Sequence, residues 1–430
     1  MKFNKLAIAL AVAGMSTGAY ATNGMDMEGY GPISTGMGGA SMAFDNGTAA
    51  MANNPATLGL MGDGSRLDLA VGVLGPDVHS STSGDSSGNS YLMPAIGWAK
   101  KNGTLSYGVG VFAQGGMGTK YAMGLDGMPE KSQLGVGRLI FPLSFQVNPN
   151  LNIGGSLDYV WATLDLRMAM PLSSMAGLIT QPGNGTLGTA LNNLGMGGYN
   201  TARLDFDTAN DFTGAAKATG YAGKIGFTYK ASPMITIGGV YQSKTSLSDM
   251  TGGALLIATQ SGANAQTVVG KISVRDFQWP ETYGLGLSVQ ATPDLMVAAD
   301  WKHIGWASVM KNFTMTYSAL GDNVTFALPQ NWKDQNVFNL GVAYKATGAL
   351  TLRAGANIAD NPVPDATMNY LFPAIIENNY TAGFGYAFNA VSDVNFSYAY
   401  APKVTQTNST FGYTVSHSQS NWQLMYSHRF

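Results

Sequence analysis

The sequence predicts an all-β fold: a transmembrane antiparallel β-barrel of about fourteen strands with an N-terminal plug inside its lumen. Three observations predict it. A secretory leader is followed by no segment able to cross a bilayer as a helix. From Arg66 onward, stretches of roughly ten residues alternate strictly between apolar and polar, as strands with one face in lipid must. The last of these stretches ends the chain on Phe430.

The leader is read from Lys2 and Lys5, the apolar run Leu6 to Val12, and the small-x-small site Ala19-Tyr20-Ala21. Residues 1–21 are therefore a signal peptide and the mature chain starts at Thr22. No later segment reaches the ~20 apolar residues of a spanning helix. Charged residues are 11% and aromatics 10%, with 56 glycines and a mean hydropathy of +0.03. That is too little charge for a soluble protein and too much polarity for a helical membrane protein. The absence of cysteine fits an exported chain that needs no disulfides. A net charge of -2 argues against nucleic-acid partners or a polybasic membrane-surface role. The expected place is the Gram-negative outer membrane, as a monomer in contact with lipid.

The alternation is explicit. Leu67, Leu69, Val71 and Val73 share one face, with Arg66, Asp68 and Ala70 on the other. Leu105, Tyr107, Val109 and Val111 repeat the pattern, as do Ile225, Phe227 and Tyr229. Breaks come in two sizes that alternate along the chain, as the two ends of a barrel require. The short ones are Lys101-Asn102-Gly103, Asn148-Pro149-Asn150, Ser232-Pro233, Thr292-Pro293-Asp294, Thr347-Gly348 and Asn389 to Ser392. All carry reverse-turn chemistry. The long ones lie near 78–90, 116–132, 168–217, 250–268, 319–333, 361–378 and 405–419. Tyr159, Trp161, Tyr241, Trp301, Trp306, Tyr398 and Tyr400 sit near strand ends, the place of interfacial girdles. The final strand puts Trp422, Leu424, Tyr426, His428 and Phe430 on one face. A terminal Phe on such a strand resembles the signal by which the outer-membrane assembly machinery recognises its clients. That pattern usually has Tyr where this chain has His428.

Residues 22–65 lack the period of two and are rich in small residues, as in Gly36-Met37-Gly38-Gly39-Ala40 and Ala49-Ala50-Met51-Ala52. Met51, Leu58, Leu60 and Met61 make the segment too apolar for a solvated tail. It is expected to fill the lumen as a plug ahead of a barrel at 66–430, since irregular backbone is tolerated there when buried in protein.

Within it, Asn53-Asn54-Pro55-Ala56 resembles the plug motif of the FadL/TodX family of outer-membrane transporters of hydrophobic compounds. Gly36-Met37-Gly38, Trp279-Pro280-Glu281, Asp300 to Trp306 and Asp360-Asn361-Pro362-Val363-Pro364 are similar to further motifs of that family. The resemblance implies uptake of long-chain fatty acids or other hydrophobic compounds without energy input. Extracellular loops catch the ligand, a lumen pocket receives it, and it leaves sideways through the wall when the plug shifts. It also places Gly115-Gly116 where the family kinks its third strand inward. Pro94 in the neighbouring strand lacks a ladder donor, so a gap is expected between the two. Pro142 and Pro280 are secondary candidates, because the apolar phase changes between Val274 and Tyr283.

The loops supply an independent sign of hydrophobic cargo. Met175, Leu178 and Ile179, then Leu187, Leu191 and Leu194, fall at helical spacing and predict two short amphipathic helices. Met117, Tyr121, Met123 and Leu125 are expected to form the facing wall of one groove, where adaptable methionines suit varied ligands.

A carboxylate ligand would need a basic partner. Strand phase puts Arg138, Lys224, Lys244, Arg275, Lys302 and Arg353 in the lumen, with Arg138, Lys302 and Arg353 as head-group candidates. Asp68, Asp158 and Asp300 are inward acids able to neutralise them. At the end of the fifth strand, where fatty-acid carriers of the family can carry a base, the chain reads Ala162-Thr163-Leu164-Asp165, which leaves a neutral hydrocarbon or aromatic cargo open. No catalytic set, metal site or cofactor is expected: the four histidines, His79, His303, His417 and His428, have no ligand spacing. Two other readings compete, a general diffusion porin for small polar solutes and a structural or adhesive surface barrel.

Overall fold

The computed structural model describes residues 23–208, 213–260 and 265–430. The expected signal peptide at 1–21 and the start at Thr22 lie outside the described residues. One antiparallel sheet of 22 strands contains all the strands described. Its closed circuit runs in chain order through β1 (Gly64–Ser80), β2 (Tyr91–Asn102), β3 (Leu105–Tyr121), β4 (Glu130–Asn148), β5 (Leu151–Pro171), β6 (Ala216–Lys230) and β7 (Ile235–Gln242). It continues through β8 (Thr282–Thr292), β9 (Leu295–Ile304), β10 (Gln335–Lys345), β11 (Leu350–Ala359), β12 (Asn378–Ala387), β13 (Ser392–Thr407) and β14 (Thr414–Arg429). Each pairs with the next, and β14 pairs back onto β1, with Leu69 opposite Tyr426 and Val73 opposite Trp422. Phe430 locks the seam, its N–H donating to the Ser65 carbonyl at 2.8 Å.

The expected strand number of about fourteen therefore falls short of the sheet. Eight further strands lie within the long connections, at Gly84–Asp85, Ile179–Gln181, Thr201–Phe206, Ser246–Leu247, Met250–Thr259, Ala265–Arg275, Asn312–Ala319 and Asp322–Pro329. The stretches among them expected as open connections, within 78–90, 168–217, 250–268 and 319–333, in fact pair with one another and their neighbours, with β1 and with the upper ends of β5 and β6. The phase change between Val274 and Tyr283 has the same origin. Val274 belongs to a loop strand and Tyr283 to β8, so no bulge at Pro280 is involved.

Alternation fixes which face meets lipid. Leu69, Tyr107, Leu157, Ile225, Leu285, Leu340, Tyr380 and Leu424 are exposed on the outside, while Asp68, Ser106, Asp158, Lys224, Asn339, Asn379 and Gln423 are buried. An outer surface this apolar is compatible with hydrocarbon and not with water. Tyr241, Tyr398 and Tyr400 are exposed, as girdle residues should be. Trp306 is not one of them, because it is completely buried in a short helix inside the wall.

Residues 23–62 lie almost wholly buried and carry a helix, α1 (Gly31–Gly36), and two 3₁₀ turns, Gly47–Met51 and Pro55–Leu60. The segment touches inward faces right round the circuit: α1 meets β11 to β14, the first 3₁₀ turn meets β1 to β4, and the second meets β2 to β6. Met51, Leu58 and Met61 are buried as their apolarity requires. The barrel begins at Gly64, two residues before the expected Arg66.

Inward carboxylates hold this segment by its backbone. Asp300 Oδ2 accepts the N–H groups of Ser41 at 2.7 Å and Met42 at 3.1 Å. Asp68 Oδ2 accepts both the N–H and the hydroxyl of Thr48 at 2.8 Å, while its carboxylate is paired with Arg66 at 2.7 Å. Asp300 thus serves backbone donors rather than a lumen base, which corrects its expected role as an ion-pair acid.

An Asp300→Ala substitution would strand two buried N–H groups at a cost of about 1–3 kcal/mol each. Hydrogen exchange at the Ser41 and Met42 amides is expected to accelerate by about tenfold or more while the barrel amides of β9 keep their protection. Unchanged exchange at Ser41 and Met42 would refute the anchoring role.

Candidate functional site

The Asn53-Asn54-Pro55-Ala56 motif caps the second 3₁₀ turn. Asn54 Oδ1 accepts the Ala56 N–H at 3.1 Å, and Pro55 follows where its missing N–H costs nothing. The Asn54 amide then reaches outward, donating to Met42 O at 2.8 Å and to Phe227 O in β6 at 3.1 Å. Glycines in the wall permit that approach. A Cβ on Gly226 would collide with Asn54 Oδ1, and one on Gly154 in β5 would sit 2.5 Å from Ala56 N. Asn53 faces the other way and grips Tyr30, donating to its carbonyl at 2.9 Å and accepting its N–H at 3.3 Å.

The wall is interrupted where Pro94 and Gly115-Gly116 are. The β2–β3 ladder stops at Ile96 opposite Val111. Above it, Tyr91 to Ala95 pair only with β1, and β3 pairs only with β4, past an irregularity between Ala113 and Gly115. The N-terminal segment supplies backbone partners there: Asp26 bridges Gly115, and Gly116 N–H donates to Met25 O at 3.1 Å. Gly115 has to be glycine, since a Cβ would collide with that carbonyl. Pro142 lies in an unbroken stretch of the β4–β5 ladder, but on its other side the β3–β4 ladder skips from Tyr107 opposite Leu143 to Gly110 opposite Ile140.

A small cavity lies against this interruption, lined by Met27, Tyr30, Thr48, Met93, Pro94 and Phe112 among others. A second is deeper and almost wholly apolar, lined by five methionines including Met25, Met117 and Met315, by Phe277, Phe313 and Phe372, and by little that is polar except Gln330. Beside them Trp279, Trp306 and Trp332 pack edge to face, with ring centroids 5.5 and 5.3 Å apart. The sequence pointed to Met117 alone of the deep cavity's lining. The rest comes from separate segments with no shared periodicity, which only the fold brings together.

The loop residues divide differently from expectation. Helices form at α2 (Leu172–Gly177) and α3 (Thr186–Met196), but Leu178 and Ile179 fall beyond α2, and Ile179 starts a strand. Met175, Ile179, Leu187 and Leu191 line a small outer apolar cavity against Tyr317 and Phe326 of a loop hairpin. Leu194 is half-buried outside it. The residues expected opposite do not form its other wall. Met117 and Tyr121 are on β3, because that strand runs on to Tyr121, while Met123 and Leu125 are exposed. Arg203 clasps the two regions together, donating twice to Asp126 at 2.6 Å and to the carbonyls of Pro129 and Met128 at 2.8 and 3.1 Å. Burial raises the Asp126 carboxyl, but its bonds to Arg203 and to the Met128 N–H outweigh that and leave it below the ordinary carboxylate range.

Most lumen bases already have partners. Asp158 Oδ2 is shared by Arg138 at 2.9 Å and Lys224 at 2.8 Å, Lys302 meets Asp26 at 3.4 Å, and Arg353 donates to Asn395 at 3.0 Å. Arg138 still has Nε and Nη2 buried without a partner among the described residues. Lys244 and Arg275 are exposed, contrary to the strand phase, because both lie in the connection above β7 and β8 and not in the circuit. No cluster of histidine and acid side chains fit for a metal exists among the described residues.

Residues 9–427 match the family described as outer membrane protein transport protein (OMPP1/FadL/TodX). The chain resembles the toluene transporter TodX of P. putida, with 30% identity and a TM-score of 0.84 over 94% of this chain and 99% of that one. It resembles the toluene transporter TbuX of Ralstonia pickettii at 32% identity and a TM-score of 0.79, again over 94% and 99%. A curated relative from Chlorobium limicola, known only as an uncharacterized protein in a phosphoenolpyruvate carboxykinase gene 5′ region, is 47% identical over 79 residues; these are 18% of this chain and 39% of the relative's length. The chain therefore belongs to the OMPP1/FadL/TodX family of outer-membrane transport proteins.

Proposed function

We propose that this protein carries small neutral hydrophobic compounds, monoaromatic hydrocarbons foremost, across the outer membrane without energy input. Cargo lands on the apolar cavity under α2 and α3, passes to the methionine- and phenylalanine-lined cavity, and leaves sideways between β2 and β3. Residues 23–62 act as the plug, tethered by Asn54 and Asp300. The observation that carries this reading is the coincidence of the interrupted β2–β3 ladder with a cavity inside it. The likeness to two toluene transporters supports the cargo class. So does the pairing of Lys302 and Arg353, since a carboxylate at either would compete with an existing partner.

A second reading, transport of long-chain fatty acids, is favoured by Arg138, whose two unpartnered donors would suit a carboxylate. Comparing uptake of radiolabelled toluene and a long-chain acid, in cells lacking carriers of their own, separates the two. Steady ion conductance in planar bilayers would instead support a general diffusion porin and overturn both.

Filling the deep cavity with Met315→Trp is expected to cut toluene uptake by about tenfold or more, because a larger ring there leaves its soft lining no room to open around a ligand. Filling the wall cavity with Ala113→Trp should cut uptake as strongly yet leave toluene bound in the deep cavity, as read by equilibrium binding to detergent-solubilised protein. Loss of that binding with Ala113→Trp would contradict two successive sites. Deleting Asn54 to Ala56 should also reduce uptake, and unchanged uptake would end the plug's proposed role.

The Asp126–Arg203 clasp sets an acid limit. A carboxyl held low when folded contributes stability that is complete above its unfolded pKa, about 3.9, and is lost as pH falls through the lower folded value. Protease cleavage within residues 168–217 should therefore stay slow at pH 5 and rise below the unfolded value. In Asp126→Asn it should be fast at both.

A further inference from the structure

The two cavities are distinct, one turn lies between residues that line each of them, and Asp26, Tyr30, Gln114 and Lys302 line a third space beside it. Met25 lines the deep cavity and Met27 the wall cavity, so the residue between them, Asp26, stands at the partition. Asn23 and Asp26 close this turn with two backbone hydrogen bonds of 3.0 and 3.2 Å. Two kinds of contact hold it across the interruption. Indole rings press on it from the barrel: Trp306 lies so near Gly24 that a Cβ there would be 2.7 Å from its Nε1, and Trp279 lies 2.9 Å from a Cβ on Gly115. Polar groups converge on the Asp26 carboxylate. Oδ1 accepts the Tyr30 hydroxyl at 2.7 Å and Gln114 Nε2 at 2.8 Å, and Oδ2 faces Lys302 Nζ at 3.4 Å.

Gln114 is the residue that the β3–β4 register leaves out between Ala113 and Gly115. The irregularity that bends β3 thus delivers the side chain that fastens the turn. The Gln114 side-chain amide donates to the Tyr30 hydroxyl oxygen, and its backbone carbonyl is a second acceptor within reach of that hydroxyl, whose single proton serves either that carbonyl or Asp26. All four members, Asp26, Tyr30, Gln114 and Lys302, are buried.

We infer that Asp26, Tyr30, Gln114 and Lys302 form a polar latch that keeps the Asn23–Asp26 turn closed between the two cavities and sets the rate at which cargo passes from the deep cavity to the wall. This deepens the transport reading above and rests on it. Carboxylate-centred hydrogen bonds in a low-dielectric site are strong and directional, which suits a closure that must be definite yet reversible. Tyr30 also couples the latch to the Asn-Pro-Ala motif, because Asn53 holds its backbone on both sides.

The test is stopped-flow exit of p-iodotoluene, whose iodine quenches indole fluorescence, from the detergent-solubilised full chain after a chase with toluene. Asp26→Asn and Lys302→Met are each expected to speed exit by about tenfold, the effect of one lost charge-assisted hydrogen bond. Tyr30→Phe, which removes only a hydroxyl, should speed exit less, and should add nothing in the Asp26→Asn background because the members act as one unit. Barrel melting is measured alongside. Exit rates unchanged in all the variants, or raised only in step with a lost melting temperature, or strictly additive, would overturn the latch. Absence of saturable quenching in the unaltered protein would instead bring down the transport reading, and the latch with it.

Discussion

Every backbone donor and acceptor facing hydrocarbon has to find a partner within the protein, and the rest of this structure depends on that constraint. It closes the circuit at β1 and β14, where Phe430 is bonded to Ser65. It also makes the interruption between β2 and β3 costly. Between β2 and β3 the ladder ends at Ile96, and β3 continues upward with one edge unpaired by a neighbouring strand. Proline on one side and a register slip on the other remove the alternatives, since Pro94 has no donor to offer and Gln114 is thrown out of line. What compensates is chain from inside the barrel, Met25 and Asp26 against Gly115 and Gly116. Opening in the wall and N-terminal segment are thus two halves of one solution.

The segment's own polar groups pose the same problem a second time, now in a lumen crowded with protein. A string of small residues buries its backbone but brings few side chains to satisfy it, so the wall does so. Asp300 takes the N–H groups of Ser41 and Met42, Asp68 those of Thr48, and Asn54 bridges Met42 to β6. These are few and discrete attachments, rather than a continuous ladder. A segment held this way can yield at one end while the others persist, which is what a reversible partition requires. The Asn23–Asp26 end is the one bonded to the wall's weak point.

How much of this was legible in the sequence follows from which signals are local. Alternation is local, so the lipid face of β1, the tight turns and the seam at Phe430 could be read directly. The interruption was legible in part, through Pro94 and the Gly115-Gly116 pair, because breakers act where they stand. The loop hairpin of Met250–Thr259 with Ala265–Arg275 is not legible, because the stretch 250–268 alternates weakly and reads as connection. Lumen charges were misassigned where strand phase was carried past a strand's end, as with Lys244 and Arg275. The deep cavity was nearly invisible. Its residues come from the N-terminal segment, β3, β4, β5 and three separate connections, and no period links Met25 to Met315 or Phe372.

That cavity's composition carries an argument about selectivity. Five methionines with three phenylalanines give a lining that is polarizable and conformationally soft, so it can close on ligands of different shape without hydrogen bonds to orient them. A transporter driven only by a concentration difference gains nothing from tight binding, because a deep well slows exit as much as it favours entry. A soft lining with almost no polar anchor keeps that well shallow. Selection must then rest on what the cavity rejects, and a lining this apolar rejects charge through the cost of desolvating it. Arg138 is the exception within the barrel, and it lies in a charged cluster with Asp158 and Lys224, not on that lining. Discrimination by exclusion in the cavity and control of rate at the turn are therefore separable, the first set by methionine and phenylalanine side chains and the second by the groups around Asp26.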